Sequence, residues 1–179
     1  TYRKNTFEFE LWLSLINGDN IRKLRDCEDI DLPPHRFPFG NIVWAPDGKK
    51  FICESERDMS LPHNLYYMNL ADKESNLKLI KTFEPGVMID SFTWTPDSKK
   101  ICYTIDKQGV FLINPDGTSQ EQIIEGNYRD ILWSPDGKEM IIQEESNDYN
   151  HYYYIFNLEN KEIRRLTLLN GAYVFGWVK

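Results

Sequence analysis

The side chains best equipped for chemistry are acids, histidines, cysteines and serines. Asp47, Asp97 and Asp136 recur in one context: each follows a proline and precedes a turn residue and a lysine. Repeated carboxylates could gather a divalent cation. Each of these turns brings only one carboxylate, however, without the dense spacing of a calcium loop. They are read as turn-forming residues, and neither a metal nor a cofactor is expected. Cys27, Cys53 and Cys102 are odd in number and form no CxxC pair or zinc-type spacing. Cys53 and Cys102 read as small core residues, whereas Cys27 stands among Asp26, Glu28 and Asp29, whose charges disfavour a thiolate. No serine lies in a GxSxG elbow and no glycine-rich phosphate loop is present. The expectation is a chain that is not an enzyme.

His63 and His151 stand six residues before Asn69 and Asn157, at matching places in two parts of the chain, with Gln108 six before Asn114. All three positions fall in one kind of loop, and His35 falls in another that opens on the same side. The histidines are read as solvated loop residues, too widely separated to share a metal. Around them the sequence gathers arginine and aromatic side chains of the kind that dominate protein contacts. The candidate binding residues are His35, Arg36, Phe37, Phe39, Arg57, His63, Asn64, Tyr128, Arg129, Tyr149 and His151, with Phe83 beside them. The competing reading is that Phe37 and Phe39 fold back to cap the sheet ends. Tyr152, Tyr153 and Tyr154 resemble an aromatic ligand platform, but period 2 sends Tyr152, Tyr154 and Phe156 to one face and Tyr153 and Ile155 to the other. Packing between sheets explains both sets.

Composition narrows the partners. The 179 residues carry 21 basic and 28 acidic side chains, a formal charge of -7 that repels a nucleic-acid backbone. Apolar runs such as Val110 to Ile113 are far too short to span a bilayer. The chain begins at Thr1 and is read as a processed or excised piece.

What positions these residues is a threefold repeat. Trp44-Ala45-Pro46-Asp47-Gly48-Lys49, Trp94-Thr95-Pro96-Asp97-Ser98-Lys99 and Trp133-Ser134-Pro135-Asp136-Gly137-Lys138 share one register. Proline presets φ, aspartate bonds the backbone two residues on, and glycine supplies a positive φ, so each copy turns one strand into the next. Ser98 is read as a weaker substitute for glycine. Alternating apolar residues flank each turn, and each unit reads as four strands, over roughly 41–83, 88–125 and 129–168. Tryptophans 44, 94, 133 and 177 recur at the spacing of a propeller blade and are expected between neighbouring sheets. A hairpin from Phe7–Ile16 and Ile21–Leu24 is expected to share a partial closing blade with 171–179, which holds Trp177.

The three Trp-x-Pro-Asp-x-Lys stretches resemble the TolB-like family of WD-type β-propeller repeats. That resemblance implies an all-β propeller of four-stranded antiparallel blades. It also implies a non-catalytic module that binds a protein or peptide outside the cytoplasm, in the periplasm or at a bacterial cell surface. The alternative it leaves open is a propeller attached to a peptidase or carbohydrate-active system, binding a small ligand or glycan. Full propellers of this family have more blades, so a fragment, an unusually small ring or a ring completed by a second chain, such as a second copy, is also implied.

Overall fold

The structure is a computed structural model that describes residues 10–13, 22–26, 40–55, 60–72, 77–145, 151–167, 174 and 177. Strands β1 (Glu10–Leu13) and β2 (Arg22–Asp26) pair antiparallel as a sheet of their own. This confirms the hairpin, while its turn lies outside the described residues. No pairing between it and 171–179 is seen, and most of that segment also lies outside them.

The other described strands form three four-stranded antiparallel sheets, each laid down in sequence order. The first holds β3 (Ile42–Trp44), β4 (Lys50–Glu54), β5 (His63–Asn69) and β6 (Lys78–Phe83). The second holds β7 (Ile89–Trp94), β8 (Ile101–Ile105), β9 (Gly109–Ile113) and β10 (Glu121–Glu125). The third holds β11 (Tyr128–Trp133), β12 (Glu139–Glu145), β13 (His151–Asn157) and β14 (Ile163–Arg165). These are propeller blades, as the repeat predicts.

A single four-stranded sheet cannot bury both faces, so each blade must pack on its neighbours. Period 2 divides the side chains accordingly. Ile52, Leu65 and Ile80 of the first blade meet Ile89, Trp94, Ile101 and Tyr103 of the second. Cys102, Val110 and Leu112 on the second blade's other face meet Ile131, Met140, Ile142 and Phe156 of the third. Tyr153 and Ile155 then pack beneath Val174 and Trp177. The alternation of the three tyrosines and the apolar role of Cys53 and Cys102 are therefore observed. Burial also pushes the Cys102 thiol well above its usual range, which makes it inert.

The repeated turns follow one hydrogen-bond scheme. Asp47, Asp97 and Asp136 each accept through Oδ1 from the amide two residues on, at 2.9, 3.1 and 3.1 Å. The turns close through Gly48 N to Ala45 O, Ser98 N to Thr95 O and Gly137 N to Ser134 O. These carboxylates are structural, and the Ser134 hydroxyl with the Lys138 amide holds Asp136 below the usual carboxylate range.

Ser98 corrects one expectation. It adopts φ 60 and is buried, its hydroxyl accepts from Asp47 N at 3.1 Å, and its carbonyl accepts from Lys50 Nζ at 2.6 Å. The serine ties the second blade's turn to the first's, which a glycine could not do through a side chain. Ser98→Ala should lower stability by about 1 kcal/mol, since it loses the hydroxyl bond and keeps the strained φ. Ser98→Gly should be close to neutral, because relief of φ offsets the lost bond. Denaturant midpoints at unchanged slope would check both.

The tryptophans also divide. Trp94 is 2% exposed and donates Nε1 to Val43 O at 3.2 Å; Trp177, partly buried, donates to Leu132 O at 3.0 Å. In each case the acceptor is the residue before the preceding blade's tryptophan. Trp133 occupies the same place between blades, but its buried Nε1 has no partner among the described residues. Trp44 departs from the expectation: it is 44% exposed, on the face of the first blade turned away from the second, where its partner Phe51 is buried.

Candidate binding face

In an antiparallel blade the first and third connections lie at one end, and the second connection lies at the other with the crossing to the next blade. Short repeated turns occupy the first end. At the second end the blades differ.

There the inner strands are bulged. β7 slips register between Ile89 and Phe92, and β11 between Tyr128 and Ile131. A bulge adds an unpaired residue and redirects side chains at a sheet end. The redirected pairs are Asp90-Ser91 and Arg129-Asp130. Ser91 N donates to Thr104 Oγ1 at 3.0 Å, which fixes the first bulge to a fully buried threonine. In the first blade the matching pair is Gly40-Asn41. Here Gly40 N donates to Glu54 O at 2.8 Å and Asn41 Nδ2 donates to Glu54 Oε1 at 3.2 Å. A Cβ on Gly40 would stand 3.0 Å from Glu54 Cγ, so glycine permits the contact.

The first and third blades add different polar clusters at this end. On the first, Asn64 Nδ2 donates to Tyr66 Oη at 3.0 Å, Thr82 Oγ1 donates to Asn64 Oδ1 at 2.7 Å, and Asn64 N donates to Ser55 Oγ at 2.9 Å. On the third, Tyr154 Oη donates to Glu144 Oε2 at 2.7 Å, Tyr128 meets the Tyr154 ring edge-on at 6.3 Å, and Arg165 stacks 4.0 Å over Tyr152. The bond to Glu144, with burial and the Glu144 charge, pushes Tyr154 up to about 12. Burial and then the same charge raise Tyr128.

A raised tyrosine keeps its proton longer in the folded state. Its contribution to stability is therefore complete below the ordinary value of 10.0 and is lost as pH rises through about 12. Ultraviolet titration should show this late phenolate, and Glu144→Gln should move it toward 10.0. An unshifted titration in the variant would contradict the assigned cause.

The structure brings His63, Asn64, Tyr128, Arg129 and the His151 backbone to this one end, as expected. His35, Arg36, Phe37, Phe39, Arg57 and Tyr149 lie outside the described residues. The expected solvated character of His63 is corrected. It is the first residue of β5, is 3% exposed and stacks on buried Phe83 at 5.1 Å, so both rings belong to the interior. Burial follows because Phe83 and His63 face each other across β5 and β6 and turn toward the second blade. Sequence reasoning missed Glu54, Ser55 and Thr104, which are buried and polar. Glu54, Thr104 and Gln143 each stand ten residues after their blade's tryptophan, and aligning the units would have revealed this polar position. A hollow of about 360 Å³ lined by Glu139, Ile155, Asn157, Glu162, Ile163 and Arg164 lies at the turn end of the third blade, away from this face.

Blades joined by tryptophans, with a rigid turn end and a variable end, define a β-propeller fold. Comparison with solved structures agrees. A protein described as "putative TolB from Agrobacterium tumefaciens" superposes with a TM-score of 0.60 at 16% identity, over 86% of this chain and 55% of that one. An oligogalacturonate lyase from Vibrio parahaemolyticus gives 0.63 at 14%, over 94% and 50%. A puromycin hydrolase gives 0.59 at 12%, over 82% and 23%. The chain thus spans about half the length of the TolB and lyase chains. No protein-family profile and no curated protein matches it.

Proposed function

We propose that this chain is a non-catalytic propeller module that binds a protein or peptide at the loop end, outside the cytoplasm. One observation carries the reading: the turn end repeats the same hydrogen bonds blade after blade, while the loop end presents different polar and aromatic groups on the first and third blades. A rigid scaffold with one variable end is how connections come to carry recognition. Bulged inner strands aim Asp90, Ser91, Arg129 and Asp130 at that end, and Tyr128 adds an aromatic group beside an exposed arginine. No catalytic pairing is assigned there. The extracytoplasmic location rests on the TolB-like resemblance.

Selection of ligands from a random-peptide display library tests the reading. Selected peptides should lose about tenfold or more in affinity with Tyr128→Ala and Arg129→Ala, and nothing with Lys138→Ala at the turn end. Peptides indifferent to both loop-end variants would contradict it. Selective stabilisation by glycans instead would favour the carbohydrate-associated alternative.

A further inference from the structure

We propose, on the basis of the peptide-binding reading above, that the loop end of the third blade seats a lysine or arginine side chain of the peptide, its cation held between the Glu144 carboxylate and neighbouring tyrosine rings. Register brings the parts together. Tyr128, Glu144 and Tyr152 stand directly across from one another on β11, β12 and β13, and Tyr154, paired with Arg165, follows two residues inward. Facing residues of paired strands share one side of a sheet. That side is the one whose Tyr128 and Tyr154 pack toward the second blade. The Tyr128 ring is fixed there: a Cβ on Gly126, which has φ 142, would stand 2.6 Å from Tyr128 Cε2, so the bare glycine makes room for it. Gly126 N donates to Gln108 O at 3.3 Å and Lys107 N donates to Asn127 Oδ1 at 3.1 Å, tying this crossing to the second blade. A ring held in advance loses little further freedom on binding.

The chemistry of these groups selects a cation. Glu144 is half-buried and accepts from Tyr154 Oη at 2.7 Å, but makes no ion pair among the described residues. An incoming ammonium or guanidinium would supply the missing counter-charge through charge-assisted hydrogen bonds. The surrounding field favours the same partner. Exposed Glu84, Glu125 and Asp130 at this end also lack an ion pair among the described residues, and Lys107 is taken by Asp106 at 3.3 Å. At the turn end, by contrast, acids hold lysines: Asp47 with Lys50 at 3.5 Å, Asp72 with Lys78 at 2.7 Å and Glu159 with Lys138 at 3.3 Å. Negative charge is thus balanced by lysines at one end and left open at the other, which steers a basic segment to the loop end. The rings point to the same ligand. Arg165 already lays its guanidinium 4.0 Å over the Tyr152 ring, so this cluster accepts a cation on an aromatic face, and half-buried Tyr128 offers a further ring.

Calorimetric titration with peptides selected on the parent chain tests the proposal. Peptides that depend on Tyr128 should carry a lysine or arginine whose replacement by glutamine lowers affinity about tenfold. Glu144→Gln keeps the side chain's shape and an acceptor for Tyr154 Oη, and circular dichroism would show that it is folded. It should weaken the original peptide by the same factor and add nothing to the loss seen with the glutamine peptide, because both changes remove one contact. Tyr128→Phe, which keeps the ring, should retain binding that Tyr128→Leu loses. Peptides that need Tyr128 and Arg129 but carry no basic residue, or bind Glu144→Gln equally well, would overturn the proposal and leave the peptide-binding reading standing. Losses that simply add in the two glutamine changes would overturn it too. Peptides indifferent to Tyr128, Arg129 and Glu144 alike would overturn both.

Discussion

Gly109→Ala is expected to destabilise the chain by on the order of 4 kcal/mol, enough to abolish a marginal fold. Gly109 opens β9 at φ 131, a conformation L side chains rarely adopt, and an added Cβ would fall 2.0 Å from Ile124 O and 3.0 Å from Glu125 Cα. Both atoms are backbone of the paired strand β10, so neither can rotate away. Relief would require separating β9 from β10, beside the bulge between Gln122 and Ile124. Gly48 supplies the comparison: it has φ 67, but nothing lies within 4 Å of its added Cβ. Gly48→Ala should therefore cost only about 1 to 2 kcal/mol, the left-handed penalty alone. Equal effects in urea titrations would show that close approach at Gly109 is not the cause.

The second large effect lies between blades. Trp94→Ala should cost about 4 kcal/mol, because it empties a site that is 2% exposed and packed against Tyr67, at 6.1 Å ring to ring, and the Lys50 ammonium at 5.2 Å. Phenylalanine substitutions separate the indole bond from its volume. Trp94→Phe strands the Val43 carbonyl and should lose more than Trp133→Phe, which removes a buried donor that has no partner among the described residues. A larger loss at Trp133 would refute this account of the interblade contact.

Most of the architecture was legible because it rests on local signals. Turn chemistry at Pro46-Asp47-Gly48 and its copies marks where strands reverse, and period 2 through Tyr152–Phe156 sorts the blade faces. Both survive in the structure because each residue's role is set by its immediate neighbours. The burial of His63 was not legible, since it depends on Phe83, twenty residues later, pairing across the sheet. Ser98 was underread for a similar reason: its partner, the Asp47 amide, belongs to another blade. The exposure of Trp44 needed the order of blades, which no single repeat contains. Polar burial at Glu54 and Thr104 is intermediate, visible once the units are aligned but not from either strand alone.

The division between a structural end and a recognition end makes an opposed prediction for the two sets of variants. The most direct test is to measure melting temperature and affinity for one selected peptide across Ser98→Ala, Tyr128→Ala and Arg129→Ala. The turn-end change should lower the melting temperature and leave affinity intact, whereas Arg129→Ala should lower affinity and leave the melting temperature nearly unchanged; Tyr128→Ala should lower affinity and, because its ring packs on Tyr154, the melting temperature as well. Loss of affinity on changing Ser98, with Tyr128 and Arg129 silent, would contradict the account.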